Sequence, residues 1–211
     1  MGRKYYTGLS MNDNEKYWAG PEGSAYTDNN RGLIENNVRM FRRALAEVRH
    51  LSIGSVLELG ANRGEAIEAM RFIFGRDREY HAIEINTYAA DILDRIGYVH
   101  VHRQSVIDWE PRRTFDLVFT RGLLIHIPPE DLPIVYEKIY KAAGRYILLC
   151  EYYNPRLQMI PYHGKDGLLW KADYAGDMIE KYGLKLVDYG FVYHRDDYPQ
   201  DDVSYFLLEV A

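Results

Sequence analysis

The sequence predicts a doubly wound α/β domain, a seven-stranded and mostly parallel sheet with a C-terminal antiparallel hairpin. Two observations carry this expectation. From Ser55 onward, short apolar runs alternate with stretches of helical period, the pattern of successive βα units. The last two apolar runs, 184–193 and 203–209, are joined by a polar loop too short for a crossover helix, so they are expected to pair antiparallel. The 211 residues fit one domain.

Residues 1–31 are polar, rich in Asn, Gly and Tyr, and carry an aromatic cluster at Tyr17, Trp18 and Tyr26. Trp and Tyr are costly to leave in water, so part of this segment is expected to fold back on the domain at 32–211, where these rings with Tyr5 and Tyr6 either form an aromatic lid or only cover the sheet edge. Ile34, Val38, Phe41, Leu45 and Val48 then recur at four-three spacing, an apolar stripe opposite Arg39, Arg42 and Arg43, and predict a helix packed on the sheet. Ser55–Leu59 reads as the first, buried strand, followed by a glycine-bearing turn and a helix with Ile67, Met70 and Phe74 inward. Tyr80–Ile85 is the second strand, Thr87–Arg95 a short helix, Tyr98–His102 the third strand and Phe115–Thr120 the fourth. Pro128, Pro129, Glu130 and Asp131 suit a helix start, with proline tolerated in the first turn and acids favoured by the dipole. That helix is expected to run from Ile134 to Ala143 and to close at Gly144, before a fifth strand at Tyr146–Glu151. Tyr174–Tyr182 reads as a last helix, with Asp173 as N-cap and Gly183 as C-cap.

Composition narrows the partners. The chain carries 26 basic against 31 acidic side chains, a net charge of −5, so no global field attracts phosphate backbones, and nucleic acid is not expected as a partner despite a local patch at Arg39, Arg42, Arg43 and Arg49. The single cysteine, Cys150, supports neither an intrachain disulfide nor a multi-thiolate metal site, and a reducing cytoplasm is the expected compartment. No apolar run approaches the ~18 residues of a spanning helix, and Tyr6 stands where a myristoylation signal wants Ser or Thr, so no membrane is expected.

The segment that carries chemistry is Glu58-Leu59-Gly60-Ala61-Asn62-Arg63-Gly64, between the first strand and its helix. Gly60 and Gly64 allow a sharp turn and close approach of a ligand. Twenty residues past Gly64, at the end of the second strand, Glu84 is placed to accept hydrogen bonds from the two hydroxyls of a ribose. A dinucleotide site wants G-x-G-x-x-G; here the spacing is G-x-x-x-G with Asn62 inside it, and Glu58 beside the turn would oppose a pyrophosphate and suit an amino group.

These residues resemble the first motif of class I S-adenosylmethionine-dependent methyltransferases, whose E-x-G-x-G-x-G pattern is matched at Glu58, Gly60 and Gly64 and departed from at Asn62. The resemblance implies a Rossmann-like methyltransferase fold with S-adenosyl-L-methionine as cofactor. It makes Glu84, with Ile85 beside it, the ribose-binding acid, and Ser105, Val106 and Ile107 the border of the adenine. It makes Phe115–Pro129, including Arg121, the motif whose loop passes under the methionine portion. A narrower resemblance uses the ends of the chain: Tyr17–Gly23 with Tyr26-Thr27, Glu151–Pro155, and Asp188–Arg195 before Pro199–Asp202 look like the methylases associated with pseudaminic acid biosynthesis. It implies methyl transfer to a small polar acceptor, a sugar or sugar-nucleotide derivative.

His126 and Glu151 are the candidate general bases. His126 suits proton transfer near neutral pH, and Glu151 ends the fifth strand on the ligand-binding side, but packing at a helix start would equally explain the first and a cap the second. His163 and Trp170 are weaker candidates for the acceptor pocket. His194–Asp197 and Asp201-Asp202 are read as a solvated hairpin loop, and no metal is expected. Two other functions fit such a sheet, an NAD-dependent oxidoreductase or epimerase and a methyltransferase-like module that binds without turnover.

Overall fold

In the computed structural model, residues 11–48, 50 and 52–210 are described. Two short helices, α1 (Asp13–Ala19) and α2 (Pro21–Asn29), precede α3 (Ile34–Ala44). The βα series follows as β1 (Ser55–Leu59), α4 (Glu65–Phe74), β2 (Glu79–Glu84), α5 (Thr87–Asp94), β3 (Val99–Arg103) and β4 (Phe115–Arg121). A 3-10 turn at Leu124–His126 leads into α6 (Leu132–Ala142) and β5 (Ala143–Glu151). After a two-residue ladder, β6 (Gln158–Met159) with β7 (Trp170–Lys171), come α7 (Tyr174–Tyr182), β8 (Lys185–Val192) and β9 (Val203–Glu209). The seven-stranded sheet has the order β3-β2-β1-β4-β5-β9-β8. It is parallel except where β9 runs antiparallel to both β5 and β8.

The strands alternate between two cores because successive side chains leave opposite faces of the sheet. Val56, Leu117, Phe119 and Leu148 meet Phe41 of α3 and Ile67 and Met70 of α4 on one face. Leu57, Val118 and Ile147 meet Val135 and Ile139 of α6 and Met178 of α7 on the other. With both faces covered, every residue of β1 is buried, which explains why it reads as a continuous apolar run interrupted only by Glu58. The caps of α7 are those expected: the Asp173 side chain accepts from Gly176 N, and Gly183 adopts φ +66°.

Three expectations need correction. Helix α3 stops at Ala44, and Leu45 and Val48 are buried from the turns that follow it. Its inward stripe is also rotated, since Asn37, Met40, Phe41 and Ala44 are buried while Ile34 and Val38 are only half-buried. Gly144 does not close α6: Ala143 already pairs with Phe115, so the chain passes directly from helix to sheet with Gly144 inside β5. The β6–β7 ladder has no counterpart in the expected elements, two residues being too few to register as a period. Tyr5, Tyr6 and Arg49 lie outside the described residues. Among those residues, no helix is long and apolar enough to cross a membrane.

Candidate active site

At the carboxyl end of β1 the chain turns with Gly60 at φ +73°, Asn62 at φ +48° and Gly64 at φ +89°. Asparagine tolerates the left-handed region better than most residues, so Asn62 keeps the turn without a middle glycine. Its amide N–H donates to Glu84 Oε2 at 2.7 Å, and Asn86 N–H donates to Glu84 Oε1 at 2.7 Å. One carboxylate thereby ties the first turn to the end of β2, with lone pairs left on both oxygens. Burial pushes the Glu84 pKa up, against these hydrogen bonds. Glu58 is also buried; desolvation holds its carboxyl well above the usual range despite the nearby Arg121, and its Oε2 has no hydrogen-bond partner. Gly64 does not line the cavity that follows: a Cβ there would meet Leu93 Cδ1 at 2.5 Å and Ile96 Cδ1 at 2.7 Å, so this glycine lets the turn pack on α5.

A cavity of about 150 Å³ lies over this turn, and its wall includes Glu58, Gly60, Asn62, Glu84, Ile85, Ser105, Val106, Ile107, Arg121 and His126. The structure therefore brings together all the residues expected at the cofactor except Gly64. Helices α1 and α2 roof it through polar contacts. Asn14 Nδ2 donates to His126 O at 3.0 Å, Thr27 Oγ1 to Asn62 Oδ1 at 2.7 Å, and Asn86 Nδ2 to Trp18 O at 2.9 Å and Gly20 O at 3.1 Å. Sequence reasoning gave Asn14, Thr27 and Asn86 no role at the site; Thr27 stood only within the narrower resemblance, and Asn86 left a signal as N-cap of α5.

A second cavity of about 520 Å³ adjoins the first, and Trp18, Tyr26, Arg121, Gly122 and His126 belong to both walls. Tyr17, Tyr152, Tyr162, His163, Lys165 and Asp201 complete much of its lining. Trp170 lies outside both linings, in β7, where its carbonyl accepts from the Tyr174 hydroxyl. The indole of Trp18 lies 4.3 Å, centroid to centroid, from the His126 imidazole. His126 Nδ1 sits 2.7 Å from the Leu168 carbonyl, which can only accept, so Nδ1 carries the proton and Nε2 keeps its lone pair. Burial, with His163 adding to it, pulls the His126 pKa down to about 4.

Glu151 lines neither cavity. Its oxygens accept backbone N–H from Leu123 at 3.1 Å and Ile125 at 3.3 Å, and burial pushes its pKa up to about 7. It lies behind both cavity walls, holding the loop after β4. Arg121, at the end of β4, donates from Nη2 to Gln200 Oε1 at 2.5 Å, and Gln200 Nε2 donates to Asn37 Oδ1 at 3.2 Å. Two arginines of the basic patch meet the hairpin loop: Arg43 pairs with Asp196 at 2.9 Å, and Arg39 covers the Tyr198 ring at 4.3 Å. In the same loop Asp202 accepts from His194 N, and no acidic and His cluster able to hold a metal occurs among the described residues.

No family model and no curated protein matches the chain. Solved structures do. A Leishmania major SAM-dependent methyltransferase superposes with a TM-score of 0.70 at 15% identity, covering 93% of this chain and 80% of that one. The 1,6-didemethyltoxoflavin N1-methyltransferase of Burkholderia thailandensis, solved with its substrate and S-adenosylhomocysteine, gives 0.68 at 12% identity over 94% and 87%. The magnesium protoporphyrin IX methyltransferase of Synechocystis, solved with SAM, gives 0.64 at 12% over 97% and 100%. The strand order, the antiparallel β5-β9-β8 edge and these likenesses agree that the chain has the Rossmann-like fold of class I SAM-dependent methyltransferases.

Proposed function

We propose that the protein is an S-adenosyl-L-methionine-dependent methyltransferase acting on oxygen or nitrogen of a small polar acceptor, a sugar or sugar-nucleotide derivative. The observation that carries the reading is Glu84, buried at the end of β2, tied to the β1 turn, and facing a cavity that opens into a second one. The residues suit the cofactor chemically. Glu84 keeps lone pairs for ribose hydroxyls, Ile85, Val106 and Ile107 give apolar walls for adenine, and the unpartnered Glu58 Oε2 suits an ammonium. Glu58 at the same time opposes a pyrophosphate, which weighs against the dinucleotide-dependent alternative.

Bound S-adenosylmethionine supplies a methyl on a sulfonium; its C–S bond breaks as the C–O or C–N bond forms, releasing the thioether and the acceptor's proton. The protein's part is alignment and the proton. His126, neutral and fixed by Leu168 O, offers Nε2 as the proton acceptor at the wall common to both cavities. Glu151 acts as a positioning residue by holding the loop that carries His126. Trp18, Tyr26 and Tyr152 would face the acceptor, the rings suited to a sugar face and to the sulfonium. Incubation with methyl-labelled cofactor and a panel of sugars and sugar nucleotides is expected to label at least one. No transfer to any of them, from protein that binds the cofactor, would contradict the sugar acceptor.

A further inference from the structure

The proposal that follows rests on the methyltransferase reading and concerns the acceptor. Arg121 occupies the wall between the two cavities, and its guanidinium is always charged. Among the described residues no acid lies within ion-pair distance of it, although the buried Glu58 is close enough to feel its charge, and its Nε is buried without a hydrogen-bond partner. The side chain as a whole is half-buried, and the protein does not take up its full fork of donors, so an anion entering the cavities would find donors still to pair. The guanidinium is nonetheless held firmly, because Nη2 donates to Gln200 Oε1 and Gln200 Nε2 donates to Asn37 Oδ1. Gln200 is 4% and Asn37 1% exposed, so a buried amide relay orients one charged group toward the cavities. The relay begins on the β8–β9 loop, whose Asp201 lines the second cavity and not the first.

We propose that Arg121 binds a carboxylate of the acceptor, which makes the acceptor a small acid such as a sugar acid. A carboxylate matches the planar fork of donors on a guanidinium. A single negative charge also suits the surroundings better than a phosphate dianion, since Asp201 lines the second cavity together with Arg121. His126 Nε2, on that wall, faces the hydroxyl or amine to be methylated. The same chemistry exists in the methionine carboxylate of the cofactor, and the test separates the two sources.

Protein saturated with S-adenosylhomocysteine is titrated calorimetrically with glucuronate, galacturonate and N-acetylneuraminate, each beside its uncharged methyl ester. At least one free acid is expected to bind about tenfold or more tightly than its ester, the scale of a charge-assisted bidentate contact. Arg121→Gln is expected to erase that preference, Arg121→Lys to keep part of it, and Gln200→Ala to weaken it by releasing the guanidinium. Equal binding of every acid and ester, no binding of any, or a preference that survives Arg121→Gln would overturn the proposal. So would a loss of about tenfold or more in S-adenosylhomocysteine affinity in Arg121→Gln, which would assign the guanidinium to the cofactor's carboxylate. Should the wild type itself fail to bind S-adenosylhomocysteine, the methyltransferase reading falls. The acids are then titrated into the protein alone, where an acid preference lost in Arg121→Gln still identifies a carboxylate site.

Discussion

His126, the proposed proton acceptor, has its basicity and its tautomer set by different neighbours. Leu168 O fixes the proton on Nδ1, while burial pulls the pKa down to about 4. A proton acceptor must be unprotonated, so turnover is expected to rise with pH through about 4 and to be level from there past neutrality as far as His126 is concerned. A pH–rate profile of kcat checks this. An acid limb near 6.5 that disappears in His126→Asn would contradict the buried, neutral imidazole. Glu58, Glu84 and the glycine turn were legible in the sequence because strand, turn and acid follow one another within a single βα unit. The Arg121–Gln200–Asn37 relay was not, because it joins β4, the β8–β9 loop and α3, positions that only the tertiary fold brings together. Glu151 was legible as the end of a strand, but the direction of its side chain, away from the cavities and onto the N–H groups of Leu123 and Ile125, was not.

Helices α1 and α2 behave as a strap whose hold depends on a few polar side chains. The cavity beneath them, at about 150 Å³, is smaller than the roughly 300–1,000 Å³ usual for ligand sites, and Asn14, Trp18 and Thr27 of these helices line it. Asn86 caps α5 through Ala89 N at 3.1 Å and holds the strap through the carbonyls of Trp18 and Gly20. Asn86→Ala is expected to cost about 1–2 kcal/mol through the lost cap and the loosened strap. Amide hydrogen exchange across 13–29 should speed up relative to the sheet, and unchanged protection there would show that other contacts hold these helices. The strap was legible only in its aromatic residues. Strand and helix positions from Ser55 onward were legible from periodicity, whereas the end of α3 was not, because the apolar spacing continues into turns that bury Leu45 and Val48 just as well.

Across the whole molecule the sheet carries one cluster sensitive to acid. His81 on β2 lies beside His100 and His102 of β3, with ring centroids 4.6 and 5.7 Å away, and against Phe115 at 4.8 Å. Burial first, then the charges of His100, His102 and Arg113, bring the His81 pKa from 6.5 down to about 4, opposed by Glu79 at 3.8 Å. The folded pKa lies below the unfolded one, so the unfolded chain binds more protons between these values. Stability is therefore expected to be undiminished above about 6.5 and to fall as pH drops toward 4, by on the order of 1–2 kcal/mol once screening of a partly buried group is allowed for. Denaturant midpoints from pH 7 to 4 measure this, and His81→Leu should flatten the slope; an unchanged slope would assign the acid sensitivity elsewhere. The doubly wound topology itself was legible because each βα unit announces itself locally and the short hairpin loop fixes the antiparallel edge.

Glu84 is proposed to meet the ribose of S-adenosylmethionine, and calorimetric titration reads this out. The wild type is expected to bind S-adenosylmethionine and S-adenosylhomocysteine and not NADH. Glu84→Ala should lose about 1.5–3 kcal/mol of that affinity, the scale of hydrogen bonds to a charged group. Binding of NADH alone, or an affinity for S-adenosylhomocysteine unaltered by Glu84→Ala, would contradict it.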